Sequence, residues 1–245
     1  GAVVWWSWFR DDPEAHAGMR ADEREYILAI RQAPSSSTAA RPLRMSTLFG
    51  SRNMWLMMVQ YFGSNFTFFF SLSWLYPYVK RTYELDSVDA GMYAMLPLLA
   101  GAAGNVVSGW LVDRLYRSGW KVWSRRLPAL VGFALSAIGM LLSVQQPTAA
   151  GAILWLSVAI FGADMTLSPS WSFCIDIGGR HAGAVSGTMN MAGNLGSAIT
   201  ALAFVYLPAG SRGDRAFFYA AAALSGAAML CWLGTRPEQR LEEVA

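Results

Sequence analysis

The sequence predicts an all-α membrane protein built as a bundle of six transmembrane helices, and three observations carry that prediction. Of its 245 residues 54% are hydrophobic and only 14% charged, against about 25% charged in an average soluble domain. No Asp, Glu, Lys or Arg occurs in residues 53–79, 90–112, 127–163, 182–211 or 216–235, and each run provides the ~20 apolar residues that cross a bilayer. None of these runs alternates polar and apolar residues as the ~10-residue strands of a membrane barrel do. A helix is the remaining element that satisfies its own backbone in hydrocarbon.

The elements follow in order. Residues 1–9, Gly1-Ala2-Val3-Val4-Trp5-Trp6-Ser7-Trp8-Phe9, are apolar but would cover only about 14 Å as a helix at ~1.5 Å per residue. They lack the basic start and small-residue cleavage site of a signal peptide. Aromatic residues ahead of a charged segment mark the water-facing turns of a membrane helix, so residues 1–9 are expected to end a preceding transmembrane helix, with sequence continuing upstream. Residues 10–52 turn polar and read as a linker. It has a short helix from about Asp22 to Arg31, with Tyr26, Ile27 and Ile30 at helical spacing, and a flexible Ser-rich stretch from Pro34 to Thr38. The membrane region is expected over residues 53–235, with spans at about 53–79, 89–112, 127–144, 149–172, 182–207 and 216–234, and residues 236–245 form a tail. The 37-residue run 127–163 yields two of these spans because Gln145-Gln146-Pro147 reads as a tight polar turn.

Orientation follows from the basic residues. With the spans alternating from the linker onward, fifteen Lys and Arg fall on the linker side and four, Lys80, Arg81, Arg212 and Arg215, on the other. The positive-inside rule then places the linker, the tail and the loop after Asp113 in the cytoplasm. That loop opens with Gly109-Trp110-Leu111-Val112-Asp113-Arg114-Leu115-Tyr116-Arg117, a charge-bearing turn of the form G-x-L-x-D-R-x-x-R.

Polar residues inside the spans are the functional candidates. Gln60, Ser64, Thr67 and Ser71 share one helix face, with Tyr61 and Asn65 beside it; such a stripe either bonds helix to helix or faces a wet cavity. The fifth span repeats the pattern with Ser186, Asn190, Asn194 and Ser197, and Asn190 and Asn194, one turn apart, could together grip one polar solute. Gly183, Gly187, Gly193 and Gly196 in that span, and Gly101, Gly104 and Gly109 around Asn105 and Ser108 in the second, let backbones approach closely. Such smooth contacts also suit one bundle moving against another. Asp164, about 22 Å into a core of roughly 30 Å, is either a proton carrier, ion ligand or polar latch, or a satisfied structural carboxyl. Asp176 reads as a helix-end charge beside Arg180 and His181, and Cys174 and Cys231 as packing residues.

The same inventory excludes other classes. No nucleophile with a nearby base, no paired carboxylates and no metal-ligand spacing can be assembled, which argues against an enzyme. No cofactor and no metal is called for. The basic residues sit beside spans instead of forming one stripe, so no nucleic-acid partner is expected. An anionic solute would meet only neutral donors within the runs: Asn, Ser, Tyr and Trp.

The turn Gly109 to Arg117 resembles the G-x-L-x-D-R loop motif of the major facilitator superfamily, in the copy between its eighth and ninth helices. Asp12-Pro13-Glu14-Ala15-His16 with Glu23-Arg24-Glu25-Tyr26-Ile27 looks like the central loop of that superfamily's anion:cation symporter family. Trp74-Leu75-Tyr76-Pro77-Tyr78 resembles that family's W-L-P-x-Y close of the seventh helix, with Tyr76 as a departure. Ser170-Trp171-Ser172 through Asp176-Ile177, then Gly187-Thr188-Met189-Asn190 and Gly193-Asn194, are similar to its tenth and eleventh helices.

The resemblance implies that the six spans are helices seven to twelve, the carboxyl-terminal half of a major facilitator fold, with residues 1–9 closing helix six. Two such halves enclose a site near the midplane and rock about it, so the missing amino-terminal six-helix half would be a partner. The implied function is secondary active transport of a small organic anion, a sugar acid or other carboxylate, by proton- or sodium-coupled symport in a bacterial inner membrane. Tyr61, Asn65, Trp171 and Asn190 match pocket-lining positions, Asn194 joins them, and Asp164 is the coupling candidate. Gly109, Asp113, Arg114 and Arg117 form the cytoplasmic gating motif. Its Asp113 lies at a helix end where the macrodipole disfavours an acid, so it is expected to draw donors from Arg114, Arg117 and the opposite half. The competing expectation is a membrane fragment or scaffold that transports nothing without that half.

Overall fold

A computed structural model describes residues 1–10, 12–16, 18–30, 44–206 and 211–241. The expected flexible stretch from Pro34 to Thr38, Arg31 at the end of the expected linker helix, and residues 242–245 of the tail lie outside the described residues. The chain divides into two compact units, Gly1–Pro42 and Leu43–Ala245.

The first unit holds α1 (Ala2–Trp8), a 3-10 turn Pro13–Ala15 and α2 (Ala21–Ile30). Asp12 caps the 3-10 turn by accepting from the Glu14 amide, Trp5 stacks on Phe9, and Arg24 donates to the His16 carbonyl.

The second unit holds α3 (Met45–Gly50), α4 (Arg52–Ser73), α5 (Leu75–Thr82), α6 (Ser87–Arg117), α7 (Lys121–Ser143), α8 (Ala149–Met165), α9 (Leu167–Gly178), α10 (Ala182–Tyr206) and α11 (Ser211–Gly234). Among the described residues there is no strand. Among the described residues four helical stretches are long and apolar enough to cross a membrane: Ser87–Arg117, Lys121–Ser143, Ala149–Ala203 and Arg215–Gly234. The third takes in α8, α9 and most of α10. The polar α4, with Asn53, Gln60, Ser64, Asn65 and Thr67, is not one of them.

Two breaks have the same cause. A proline inside a helix removes one amide and crowds the carbonyl four residues back. Pro77 does this at Ser73, where α4 gives way to α5 at Trp74. Pro169 does it at Met165, where α8 gives way to α9 at Thr166. The freed Met165 carbonyl is not wasted, for the Ser108 hydroxyl of α6 donates to it. The Thr166 hydroxyl meets that of Ser64 on α4 at 3.0 Å. The expected fourth span, 149–172, is therefore two helices with a tethered joint, and α9 runs on to Gly178.

The helices pack as two trios, α8 between α6 and α7, and α4 between α10 and α11, joined where α7 meets α11. Close approach needs glycine at the contacts. A Cβ on Gly104 of α6 would collide with the backbone of Phe161 on α8, so packing accounts for that residue. Two apolar clusters fill the bundle, one around Phe70, Tyr78, Leu156, Phe217 and Phe218, the other around Met57, Phe133, Phe173 and Trp232. Between them on α4 lies a polar band. Gln60 accepts from Trp232 Nε1 at 3.2 Å and donates to Ser170 at 3.2 Å, and the Thr200 hydroxyl donates to the Phe66 carbonyl. Gln60, Ser64, Thr67 and Ser71 are all buried, so this stripe belongs to the bundle interior.

Candidate functional site

The polar residues beside that stripe form the candidate site. Tyr61 is buried on α4, and its ring meets the indole of Trp171 on α9 edge to face, with centroids 6.4 Å apart. Trp171 remains 42% exposed, because the joint at Thr166 starts α9 afresh and carries this side chain to the open side. Asn65, one turn along α4, donates to the Tyr61 carbonyl at 3.0 Å, and its side chain also reaches that of Tyr61. Gly193 of α10 presses against both, since a Cβ there would lie 2.6 Å from Tyr61 Cδ1 and 2.7 Å from Asn65 Nδ2.

On α10 the exposed surface has two characters. At about 100° per residue, Ser197, Asn190 and Asn194 lie about 40°, 60° and 100° round the helix from Gly193, next to the Tyr61–Asn65 contact. Asn194 donates to the Asn190 carbonyl at 3.0 Å, and both asparagines are exposed. Farther round, Met191, Leu195, Ile199 and Leu202 are also exposed but wholly apolar, as a lipid-facing surface requires. Tyr61, Asn65 and Trp171 are thus in one cluster, and the asparagine pair lies along its flank.

Asp164 sits at the end of α8, half-buried, two residues before the joint at Thr166, with Oδ2 packed against Gly101 of α6. It makes no hydrogen bond or ion pair among the described residues. Just beyond the joint, Ser168 of α9 donates to Asn105 Oδ1 of α6 at 3.1 Å, which gives this edge of the α6–α9 contact a polar lining.

The segment Gly109 to Arg117, expected as a turn opening the loop, instead forms the last turns of α6. Asp113, Arg114 and Arg117 are exposed, and their side chains make no hydrogen bond or ion pair with one another, so the expected help to Asp113 from Arg114 and Arg117 is not observed. Arg117 lies one turn beyond Asp113 on the same face of α6, so the absence of a contact between them is not imposed by helix geometry. The ion pair of this region is elsewhere: Arg125 of α7, 8% exposed, holds Asp176 of α9 through two contacts of 2.8 and 3.3 Å, with its guanidinium over the Tyr116 ring. Asp176, expected as a helix-end charge, is also a tether. Cys174 packs against Met189, and Cys231 is a free thiol. No group of metal-binding side chains occurs among the described residues.

The family model described as the Major Facilitator Superfamily matches residues 1–201. The chain belongs to the major facilitator superfamily. Within it, the chain is 30% identical over 200 residues to the "Probable sulfoacetate transporter" of Cupriavidus necator, an alignment covering 81% of this chain and 46% of that protein. It is 30% identical to the "Probable L-galactonate transporter" of Escherichia coli, over 78% of this chain and 42% of the relative. It is 26% identical to the "Probable galactarate/D-glucarate transporter" of Escherichia coli, over 91% and 52%. The chain spans about half the length of the curated relatives it matches. These are the sugar-acid and anion transporters to which the sequence motifs pointed.

The sequence motifs single out the aromatic and asparagine positions as candidates. They do not single out Gln60–Trp232, Ser108–Met165 or Arg125–Asp176, because each pairs residues far apart in the chain. The one available signal was proline: Pro169 announces a freed carbonyl and so a donor somewhere on a neighbouring helix.

Proposed function

We propose that this chain is the carboxyl-terminal half of a secondary active transporter for a small organic anion, a sugar acid or other carboxylate. It crosses the bilayer six times, with α4–α5 and α8–α9 each forming one broken span, and its linker and tail lie in the cytoplasm of a bacterial inner membrane. Tyr61, Asn65, Trp171, Asn190 and Asn194 contact the solute, Asp164 couples a proton or sodium ion to its movement, and Gly109, Asp113, Arg114 and Arg117 gate the cytoplasmic side against the other half. What carries the reading is that the three relatives above are each named for a small organic anion. Their greater length supports a second bundle as the working partner, and the broken helix beside Trp171 is the kind of element that lines transporter sites.

The site chemistry accords with this. Its groups are neutral, so they read hydroxyl and carbonyl groups by hydrogen bonds and stack on apolar faces with an indole, leaving most of the solute's charge to groups outside these helices. The test is uptake of radiolabelled galactonate into vesicles from cells making this chain with and without an amino-terminal six-helix half taken from the L-galactonate relative. Uptake that needs both parts supports the reading. No uptake with both parts inserted would favour the non-transporting scaffold.

A further inference from the structure

A second pocket lies far in sequence from the solute-contacting residues. Helix α6 ends in a Schellman turn: the Trp120 amide bonds the Leu115 carbonyl and the Gly119 amide bonds that of Tyr116, with Gly119 at φ 86°. That backbone conformation suits glycine. The Lys121 amide then returns to the Gly119 carbonyl at 3.0 Å, closing a second tight turn centred on Trp120. The result is a stiff corner that holds two indoles, Trp120 and Trp123, in the open. With Gly119, Lys121, Val122 and Glu238 they line a cavity of 710 Å³, within the range of about 300–1,000 Å³ usual for small-molecule sites.

Its position is set by topology, whichever side of the membrane it is on. Helices α6 and α7 are both candidate spans, so the turn between them lies at a membrane surface. The candidate span α11 ends at Gly234, and Glu238 four residues on closes the same cavity. Exposed tryptophans at that level are what headgroup-region contacts use. The cavity carries one cation, Lys121, and one carboxylate, Glu238, and no ion pair joins them among the described residues. A ligand that satisfies both must carry a negative and a positive group a few bonds apart.

We infer that this cavity binds the zwitterionic headgroup of a phospholipid, with Lys121 on the phosphate, Glu238 on the ammonium and the indoles of Trp120 and Trp123 against the ammonium face and the glycerol. Indole faces attract ammonium groups, and Lys binds phosphate as a point charge. A purely anionic headgroup would satisfy Lys121 but face Glu238 with like charge.

Native mass spectrometry of the purified full chain, titrated with phosphatidylethanolamine, phosphatidylcholine or phosphatidylglycerol of the same acyl chains, tests this. The two zwitterionic lipids are expected to give more adducts than phosphatidylglycerol. Glu238→Gln should lower their adducts about two- to fivefold, the scale of one exposed charge contact, and leave phosphatidylglycerol adducts unchanged or raised. Lys121→Gln should lower adducts of all three. Equal adducts for all headgroups, or a preference for phosphatidylglycerol, would overturn the inference, as would zwitterionic adducts that do not fall relative to phosphatidylglycerol in Glu238→Gln. Both variants alter exposed side chains, and an unshifted melting curve in detergent shows that they fold.

Discussion

Asp164 is the residue where structure and chemistry press hardest on each other. A carboxylate at the end of the apolar helix α8 is costly within a membrane unless it has partners or a function, yet its Oδ2 faces the bare backbone of Gly101 and no donor. Glycine at 101 makes the room for the carboxyl. If this group carries the coupling ion, Asp164→Asn fixes it in a neutral, protonated-like state. Uptake by the chain combined with an amino-terminal half should then lose its stimulation by an inward proton or sodium gradient, while exchange of labelled for unlabelled solute continues. Gradient stimulation that survives in Asp164→Asn would leave Asp164 as a packing residue.

At the scale of elements, the joint between α8 and α9 is the feature that places Trp171, and its cost is divided between two residues. Pro169 creates the unbonded Met165 carbonyl, and Ser108 satisfies it. Ser108→Ala should lower stability by about 1–3 kcal/mol, the range for a buried polar group left unpaired. Pro169→Ala restores an amide that can bond Met165 within the helix, so the double variant should lose less than Ser108→Ala alone. Thermal unfolding of the four proteins in detergent measures the coupling, and additive losses would mean that the hydroxyl has no such role. This joint also shows the reach of the sequence. Charge-free runs point to the apolar stretches but not to the helix ends, since α6 continues to Arg117 and α7 begins at Lys121, and glycine spacing points to Gly104, because both signals are local. The expected spans nonetheless ran through Trp74 and Thr166, since hydropathy counts side chains and is blind to a carbonyl that proline has freed. The Gln60 stripe was legible as a face but not as interior or cavity, a choice made only by Trp232 and Ser170 arriving from distant helices.

For the whole molecule, the distribution of charge assigns a division of labour. No Lys or Arg occurs in residues 53–79, 127–179 or 182–211, so if Tyr61, Asn65, Trp171, Asn190 and Asn194 contact the solute as proposed, these helices would distinguish solutes by hydroxyl pattern more than by net charge. Asn190 and Asn194 form a ladder along the exposed side of α10, and each amide retains donor and acceptor capacity. A polyhydroxylated acid such as galactonate can use that capacity, whereas sulfoacetate has no hydroxyl groups along its backbone to offer. Removing a site's hydrogen-bonding group costs about 0.5–1.5 kcal/mol for a neutral pair, or up to about tenfold in affinity. In the chain combined with an amino-terminal half, Asn190→Ala should therefore weaken competition by galactonate about three- to tenfold and change competition by sulfoacetate less than about twofold. Competition against a common labelled substrate reads both in one assay. Equal losses for the two acids would place Asn190 on a group they share, the carboxylate, and would return charge recognition to this set of helices.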